Sequence, residues 1–208
     1  MPKQTFFNLD DAKKNRIIEA AIDEFSQNNF HKASVTNIID KADIASGSFY
    51  QYFDGKEDLF KYIVEIVSKR KLEYIDQEIL INPAQLSFFE FLREVYRGGI
   101  EFAKENPRLV SIGDELMNSN CEVCSQIREE LKPTSHQFFI KILKNAVDRG
   151  DVKEDIDIEF TAKFLTNINY SLGDFIYTDS GLSEDAMEVI DVLINIIENG
   201  IKPKRGDE

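Results

Sequence analysis

Apolar residues recur at three- and four-residue spacing along almost the whole chain, and helix is the element that can bury such a pattern on one side. Ile17, Ile18, Ala21, Ile22 and Phe25 form the first stripe. Val35, Ile38, Ile39 and Ala42 form a short second one, with Ser34 placed as its N-cap. Leu59, Phe60, Ile63, Ile66, Val67, Leu72 and Ile75 make a long one. Residues 85–105 carry Leu86, Phe88, Phe89, Phe91, Leu92, Val95, Tyr96, Ile100 and Phe102, apolar on most sides, as in a helix inside a larger domain. No segment alternates convincingly with a period of two, and no internal repeat is visible. With 5 Pro and 10 Gly in 208 residues, little interrupts the pattern. The expectation is an all-α fold of about nine helices: 10–28, 35–42, 46–52, 56–80, 85–105, 107–117, 121–147, 157–177 and 184–199. Asn28-Asn29 ends the first helix through a left-handed residue, Asn82-Pro83 and Asn106-Pro107 end two more, and Gly150 caps another. The tail around Lys202-Pro203-Lys204-Arg205 is expected to fray.

The chain has 25 Lys and Arg against 38 Asp and Glu, a formal net charge of −13. Taken whole, that opposes binding to a polyanion, whether nucleic acid or an anionic membrane. The charge is unevenly spread, however. Residues 1–70 sum to −1 and residues 71–208 to −12. No apolar run reaches the 18 or so residues of a membrane span. The start, Met1-Pro2-Lys3-Gln4-Thr5, shows no apolar run ahead of a small-residue cleavage site, so a cytoplasmic protein without a membrane partner is expected.

Within the nearly neutral part, Ser34 to Ala42, the turn Asp43-Ile44-Ala45 and Ser46 to Phe53 have helix-turn-helix dimensions. Phe49 and Phe53 lie four apart and can both point inward. That leaves Ser46, Gly47, Ser48, Tyr50, Gln51 and Tyr52 to face outward. Such a surface suits a DNA groove: Ser and Gln reach base edges, Tyr hydroxyls reach phosphates, and Gly lets the backbone approach.

The residues from Arg16-Ile17-Ile18-Glu19-Ala20-Ala21 through Phe25, Val35-x-x-Ile38 and Gly47-Ser48-Phe49-Tyr50-x-Tyr52-Phe53 to Lys56-Glu57-Asp58-Leu59-Phe60 resemble the DNA-binding domain of the TetR family of bacterial transcriptional regulators. The resemblance implies a helix-turn-helix DNA-binding domain over 1–56 and a helical ligand-binding and dimerisation domain over 57–208. It makes 46–52 the recognition helix, with Ser46, Gly47 and Ser48 near bases and Tyr50 and Tyr52 near phosphate and sugar. It places Ser34, Thr36 and Asn37 at a helix start that favours a phosphate, and makes Lys56 a phosphate clamp. Lys13, Lys14 and Arg16 are further candidates for phosphate contact. Three positions depart from the family's habit. Ala45 stands where a capping Ser or Thr is common, Asp43 replaces a turn Gly, and Asp54 replaces a neutral or basic residue.

For the second part, the resemblance implies a small-molecule effector. Buried aromatic helices can wall a cavity and few charges interrupt these faces, so a largely apolar one is expected, with Ile66, Phe91, Leu92, Tyr96, Met117, Phe138, Ile142, Phe164 and Ile168 as candidate lining. Leu165, Leu172, Phe175, Ile190, Leu193 and Ile197 follow helical spacing and are the candidate seam of a homodimer. Two recognition helices about 34–36 Å apart would then read a near-palindromic operator in double-stranded DNA, and an effector that lowers DNA affinity makes the chain a repressor. Cys121-x-x-Cys124 admits a zinc, a redox or a purely structural reading; with no second such pair the structural one is preferred and no metal is assigned. No phosphate-binding glycine loop, HExxH or G-x-S-x-G is present, so neither a cofactor nor an enzyme is expected. The alternative is an all-helical small-molecule binding protein without DNA function.

Overall fold

The computed structural model describes residues 1–81, 85–178 and 181–202. Among them are twelve helices: α1 Gln4–Phe7, α2 Asp11–Gln27, α3 Val35–Ala42, α4 Ser46–Tyr52, α5 Lys56–Leu72, α6 Gln77–Ile81, α7 Phe88–Glu105, α8 Pro107–Asn118, α9 Glu122–Asp148, α10 Ile158–Ser171, α11 Gly173–Ile176 and α12 Ala186–Ile201. The fold is all-α, as the spacing implies. Three helices exceed the expected nine: α1, α6 and α11 have four or five residues each, too few for a periodicity to register. Tyr177–Thr178 and Gly181–Leu182 pair as a minimal antiparallel hairpin.

Local chemistry explains several boundaries. Asp10, Ser34 and Asp157 each accept a hydrogen bond from the backbone N–H three residues on, which caps α2, α3 and α10. Gly150 follows α9 at φ +76°, the left-handed residue expected there. Asn28 does not end α2 that way: its backbone is extended, at φ −129° and ψ 135°. The long helix expected to reach residue 80 stops at Leu72, where Ile75 N–H bonds back to the Leu72 carbonyl and the Gln77 amide donates to the Leu72 and Ile75 carbonyls. The expected stop at Asn82-Pro83 and the tail beyond Lys202 lie outside the described residues.

The chain divides into two compact units. The first comprises Met1–Arg70 and Asn106–Arg128, and residues 1–56 lie wholly inside it. Its core is aromatic. Phe6, Phe49, Phe53 and Phe60 are at most 1% exposed, and the rings of Phe6 and Phe53, and of Phe25 and Phe60, stand 5.0 Å apart. α2 packs against α3 and α8. On that side Asp23 pairs with Lys41 at 2.5 Å and with Arg108, which also reaches Glu19.

The second unit comprises Lys71–Glu105 and Glu129–Glu208. Its core gathers Phe88, Phe89, Phe91, Leu92, Tyr96 and Ile100 of α7 with Phe139, Ile142 and Leu143 of α9, Leu165 of α10 and Ile190, Ile194 and Ile197 of α12. A Cβ on Gly98 would stand 2.6 Å from the Tyr74 carbonyl oxygen, so glycine is what lets α7 pass this turn.

Candidate nucleic-acid interface

α3 and α4 are joined by Asp43, Ile44 and Ala45. Asp43 sits at φ 52° and ψ 58°, the left-handed conformation that Asp tolerates better than most residues. This is the permissive backbone its place in the turn demanded. Ala45 occupies the N-cap of α4 and offers no side-chain hydrogen bond, so the helix is anchored by packing instead. Phe49 and Phe53 are both fully buried beneath it.

The opposite face of α4 is open. Ser46, Gly47, Tyr50 and Gln51 are exposed and Ser48 is half-buried. A Cβ built on Gly47 meets nothing within 4 Å, so the fold itself places no demand for glycine there. The Tyr50 ring rests edge-on against Phe49 at 5.2 Å, which fixes its direction while leaving it 57% exposed. Tyr52 does not belong to this face. It is 6% exposed, with its ring 6.3 Å from Phe6 and the Lys13 ammonium 5.7 Å from its centroid. It lies three residues after Phe49, hence on the buried side.

At the start of α3, Thr36 and Asn37 are exposed and Ser34 is half-buried. Ser34 Oγ caps the helix through the Asn37 N–H. Glu24 of α2 holds this end in place: it accepts from the Ser34 N–H at 2.8 Å and from the Asn37 amide at 3.3 Å. Lys56 is half-buried, and its ammonium is already engaged. It donates to the His31 carbonyl at 3.2 Å and the Ala33 carbonyl at 2.9 Å, and stands 4.7 Å over the Phe30 ring. Its visible work is to tie the loop after α2 to the start of α5. Arg16 Nε donates to the Ala42 carbonyl, and Lys14 pairs with Asp11.

Sequence reasoning missed the segment that secures the far end of α4. The Lys3 N–H donates to the Tyr52 carbonyl at 2.8 Å, the Lys3 ammonium to the Tyr50 carbonyl at 3.0 Å, and the Thr5 hydroxyl to the Gln51 carbonyl. These are carbonyls of a helix's last turn, which have no partner inside the helix. The Lys3 ammonium also pairs with Asp54 at 2.7 Å, and that hydrogen bond holds the Asp54 carboxyl below its ordinary value. The negative charge noted at position 54 is therefore matched locally. Phe6, fully buried among Phe53, Tyr62 and Tyr52, anchors the segment. The one available signal was the Phe6-Phe7 pair.

The candidate effector residues are dispersed. Ile66 and Met117 are half-buried in the first unit. In the second, Phe91, Leu92, Tyr96 and Ile142 are buried, Ile168 is half-buried, and Phe138 and Phe164 are 40% and 50% exposed. A small hollow lined by Phe88, Phe91, Ile142, Asn145 and Arg149 has room for about one water molecule. Of the candidate seam, Leu165, Ile190 and Ile197 are buried within the single chain, Leu172 and Leu193 are half-buried, and Phe175 is 66% exposed. Periodicity thus marked the face turned to the chain's own core. The apolar side chains left uncovered on these helices are Phe160, Phe164, Phe175, Val192 and Ile196.

Cys121 and Cys124 are free and buried. The Cys124 N–H donates to Cys121 Sγ at 3.4 Å, and burial pushes the Cys124 thiol up to about 11, away from the reactive thiolate. Among the described residues, no group of three or more His, Cys, Asp or Glu is arranged to hold a metal ion, and no helix is long and apolar enough to cross a membrane.

Comparison with known proteins agrees with this geometry. The family model for bacterial regulatory proteins of the tetR family matches residues 17–63, which run from α2 into α5. The fatty acid metabolism regulator protein of Bacillus subtilis (strain 168) is 24% identical over 185 residues, covering 86% of this chain and 93% of the relative. A TetR family transcriptional regulator from Chloroflexus aurantiacus J-10-FL has a solved structure at 27% identity and a TM-score of 0.66, covering 98% of this chain and all of that one. The transcriptional regulator FadR of Bacillus subtilis, solved in complex with stearoyl-CoA, superposes with a TM-score of 0.66 at 22% identity, covering 90% of this chain and 98% of that one. The helix-turn-helix segment thus matches the tetR family of bacterial regulatory proteins directly, and the chain as a whole is similar in sequence and fold to TetR-family DNA-binding transcriptional regulators.

Proposed function

We propose that the chain is a homodimeric repressor that reads a near-palindromic operator with α4 and leaves it on binding an acyl-type amphiphile. The observation that carries the DNA reading is the open face of α4. Four exposed residues, Ser46, Gly47, Tyr50 and Gln51, stand on a helix pinned from behind by Phe49 and Phe53 and secured at its end by Lys3 and Thr5. A rigid helix with small, hydroxyl and amide groups outward fits the major groove. In this reading Ser46 and Gln51 read base edges and Tyr50 reaches the backbone. Lys56 serves as a structural tie in this reading, and Tyr52 as core.

Two copies meet through Phe160, Phe164, Phe175, Val192 and Ile196, whose exposures run from 50% to 67%. Large apolar side chains at such exposure, gathered on the chain's last helices, mark a contact surface. The acyl class of effector rests on likeness to the fatty acid metabolism regulator and on the fold shared with the regulator that holds stearoyl-CoA. The largely apolar core of the second unit is compatible with such a body.

The test begins by selecting operators from a pool of random duplexes with the purified full chain. The reading predicts an inverted repeat with half-sites about one helical turn apart, and loss of the shifted complex on adding stearoyl-CoA. Absence of any enriched sequence would overturn the DNA reading. An enriched operator whose complex ignores acyl-CoA would overturn only the effector class.

A further inference from the structure

α7 buries Phe88, Phe89, Phe91 and Phe102, and the chain uses Phe at 16 positions in all. Tyr96 stands apart on this helix. It is 7% exposed within the same cluster as Leu92, Ile100, Leu143 and Leu165. Its hydroxyl is the one fully buried side-chain nitrogen or oxygen, among the described residues, without a hydrogen-bond partner. Most buried polar groups are paired, and an unpaired one calls for an explanation. The fold supplies none: the ring packs as phenylalanine would, and the hydroxyl only adds an unmet bond. Burial pushes the phenol up to about 12, so it stays protonated at neutral pH and available as a donor.

We propose that the Tyr96 hydroxyl is the polar contact of the effector site, donating a hydrogen bond to a carbonyl or carboxylate oxygen at the end of the effector's apolar body. The inference rests on the acyl-effector reading above and adds the residue and the ligand atom. An effector entering here must part the surrounding side chains, since the hollow beside Phe91 and Ile142 holds about one water molecule. The bond is then made only in the effector-bound state, so it favours that state over the free one. It also confers selectivity. A plain hydrocarbon of the same length leaves the hydroxyl unmet, whereas a molecule with an acceptor at the right depth satisfies it.

Tyr96→Phe separates this role from a structural one because the two predict opposite signs. With the hydroxyl unmet in the free protein, the variant melts about 2–4 °C higher than wild type. It binds stearoyl-CoA about tenfold more weakly by titration calorimetry. S-octadecyl-CoA, the thioether that lacks the carbonyl oxygen, binds wild type and variant alike and matches the variant's weakened affinity. A lower melting temperature for Tyr96→Phe would show that the hydroxyl serves the free fold and would overturn the inference. Equal affinity of wild type and variant for stearoyl-CoA would overturn it while leaving the acyl reading intact. Failure of stearoyl-CoA to bind wild type at all would overturn the acyl reading, and this inference with it.

Discussion

Lys56 shows how one side chain's environment decides its role. Its ammonium bonds two carbonyls and faces an aromatic ring, all within the first unit. A charged donor so engaged contributes on the order of 1–2 kcal/mol. Lys56→Met should therefore lower the unfolding free energy by that amount, seen as a lower urea midpoint at unchanged slope, with little direct effect on DNA affinity once the protein is folded. A variant as stable as wild type that binds DNA poorly would return Lys56 to the phosphate-contacting set. The sequence places this lysine correctly in the chain but cannot show what meets its ammonium. Tyr52 is different, because its position was readable: three residues after Phe49 puts it on the inner side of α4. Its hydroxyl and its place in the family pattern suggest an outward role, which the burial of the ring rules out.

At the scale of elements, α4 is a seven-residue helix without a side-chain N-cap. Its placement depends on what holds its two ends. Phe49 and Phe53 were legible as anchors from their spacing. The bonds from Lys3 and Thr5 were not, since they join residues more than 40 positions apart. Replacing Lys3 by Ala removes the ammonium bond to Tyr50 and the pairing with Asp54. Amide hydrogen exchange at the end of α4 should then accelerate while α3 is unchanged, and specific DNA affinity should fall with only a small change in melting temperature. Equal protection of α4 in both proteins would contradict the latch. A second element-scale expectation concerns α2, α3 and α8. Hydrogen bonding from Lys41, then from Arg108, holds the Asp23 carboxyl below its ordinary value. A depressed folded value means stability present above the unfolded value of about 3.9 and lost as pH falls through the folded one. Asp23→Asn should thus be less stable than wild type at neutral pH, and the two should converge in acid. Parallel stability curves would refute this. Helix periods longer than two turns were readable throughout. The single-turn helices α1, α6 and α11 were not, because one turn carries no period.

For the molecule as a whole, the uneven charge removes the objection that −13 poses to DNA binding, since residues 1–70 carry only −1. Much of the positive charge near the interface is also engaged: Lys3, Lys14, Lys41 and Arg108 pair with carboxylates, and Lys56 bonds carbonyls. Affinity should consequently depend weakly on salt, with a log–log slope on the order of −4 rather than the −10 of strongly basic repressors. The proposed dimer depends on the apolar faces that the single chain leaves open. Phe164→Asp combined with Ile196→Asp places charge on the uncovered face while leaving the buried Leu165 and Ile197 in place. Sedimentation should then report monomers with native helicity, whereas a persisting dimer would move the interface elsewhere. Hydrophobic spacing identified which residues are apolar on one side. It could not distinguish a face covered by the same chain from one covered by another, because both have the same period.

The proposed role of the open face of α4 in reading DNA turns on the side chains it presents. Fluorescence anisotropy with a selected operator and an unrelated duplex tests it most directly, comparing wild type with Gly47→Ala, Tyr50→Ala and Gln51→Ala, each shown to be folded by circular dichroism. If this face reads DNA, each variant loses about 1–3 kcal/mol in operator affinity, with binding to the unrelated duplex much less affected for Gln51→Ala. Operator affinity equal to wild type in all three folded variants would contradict it.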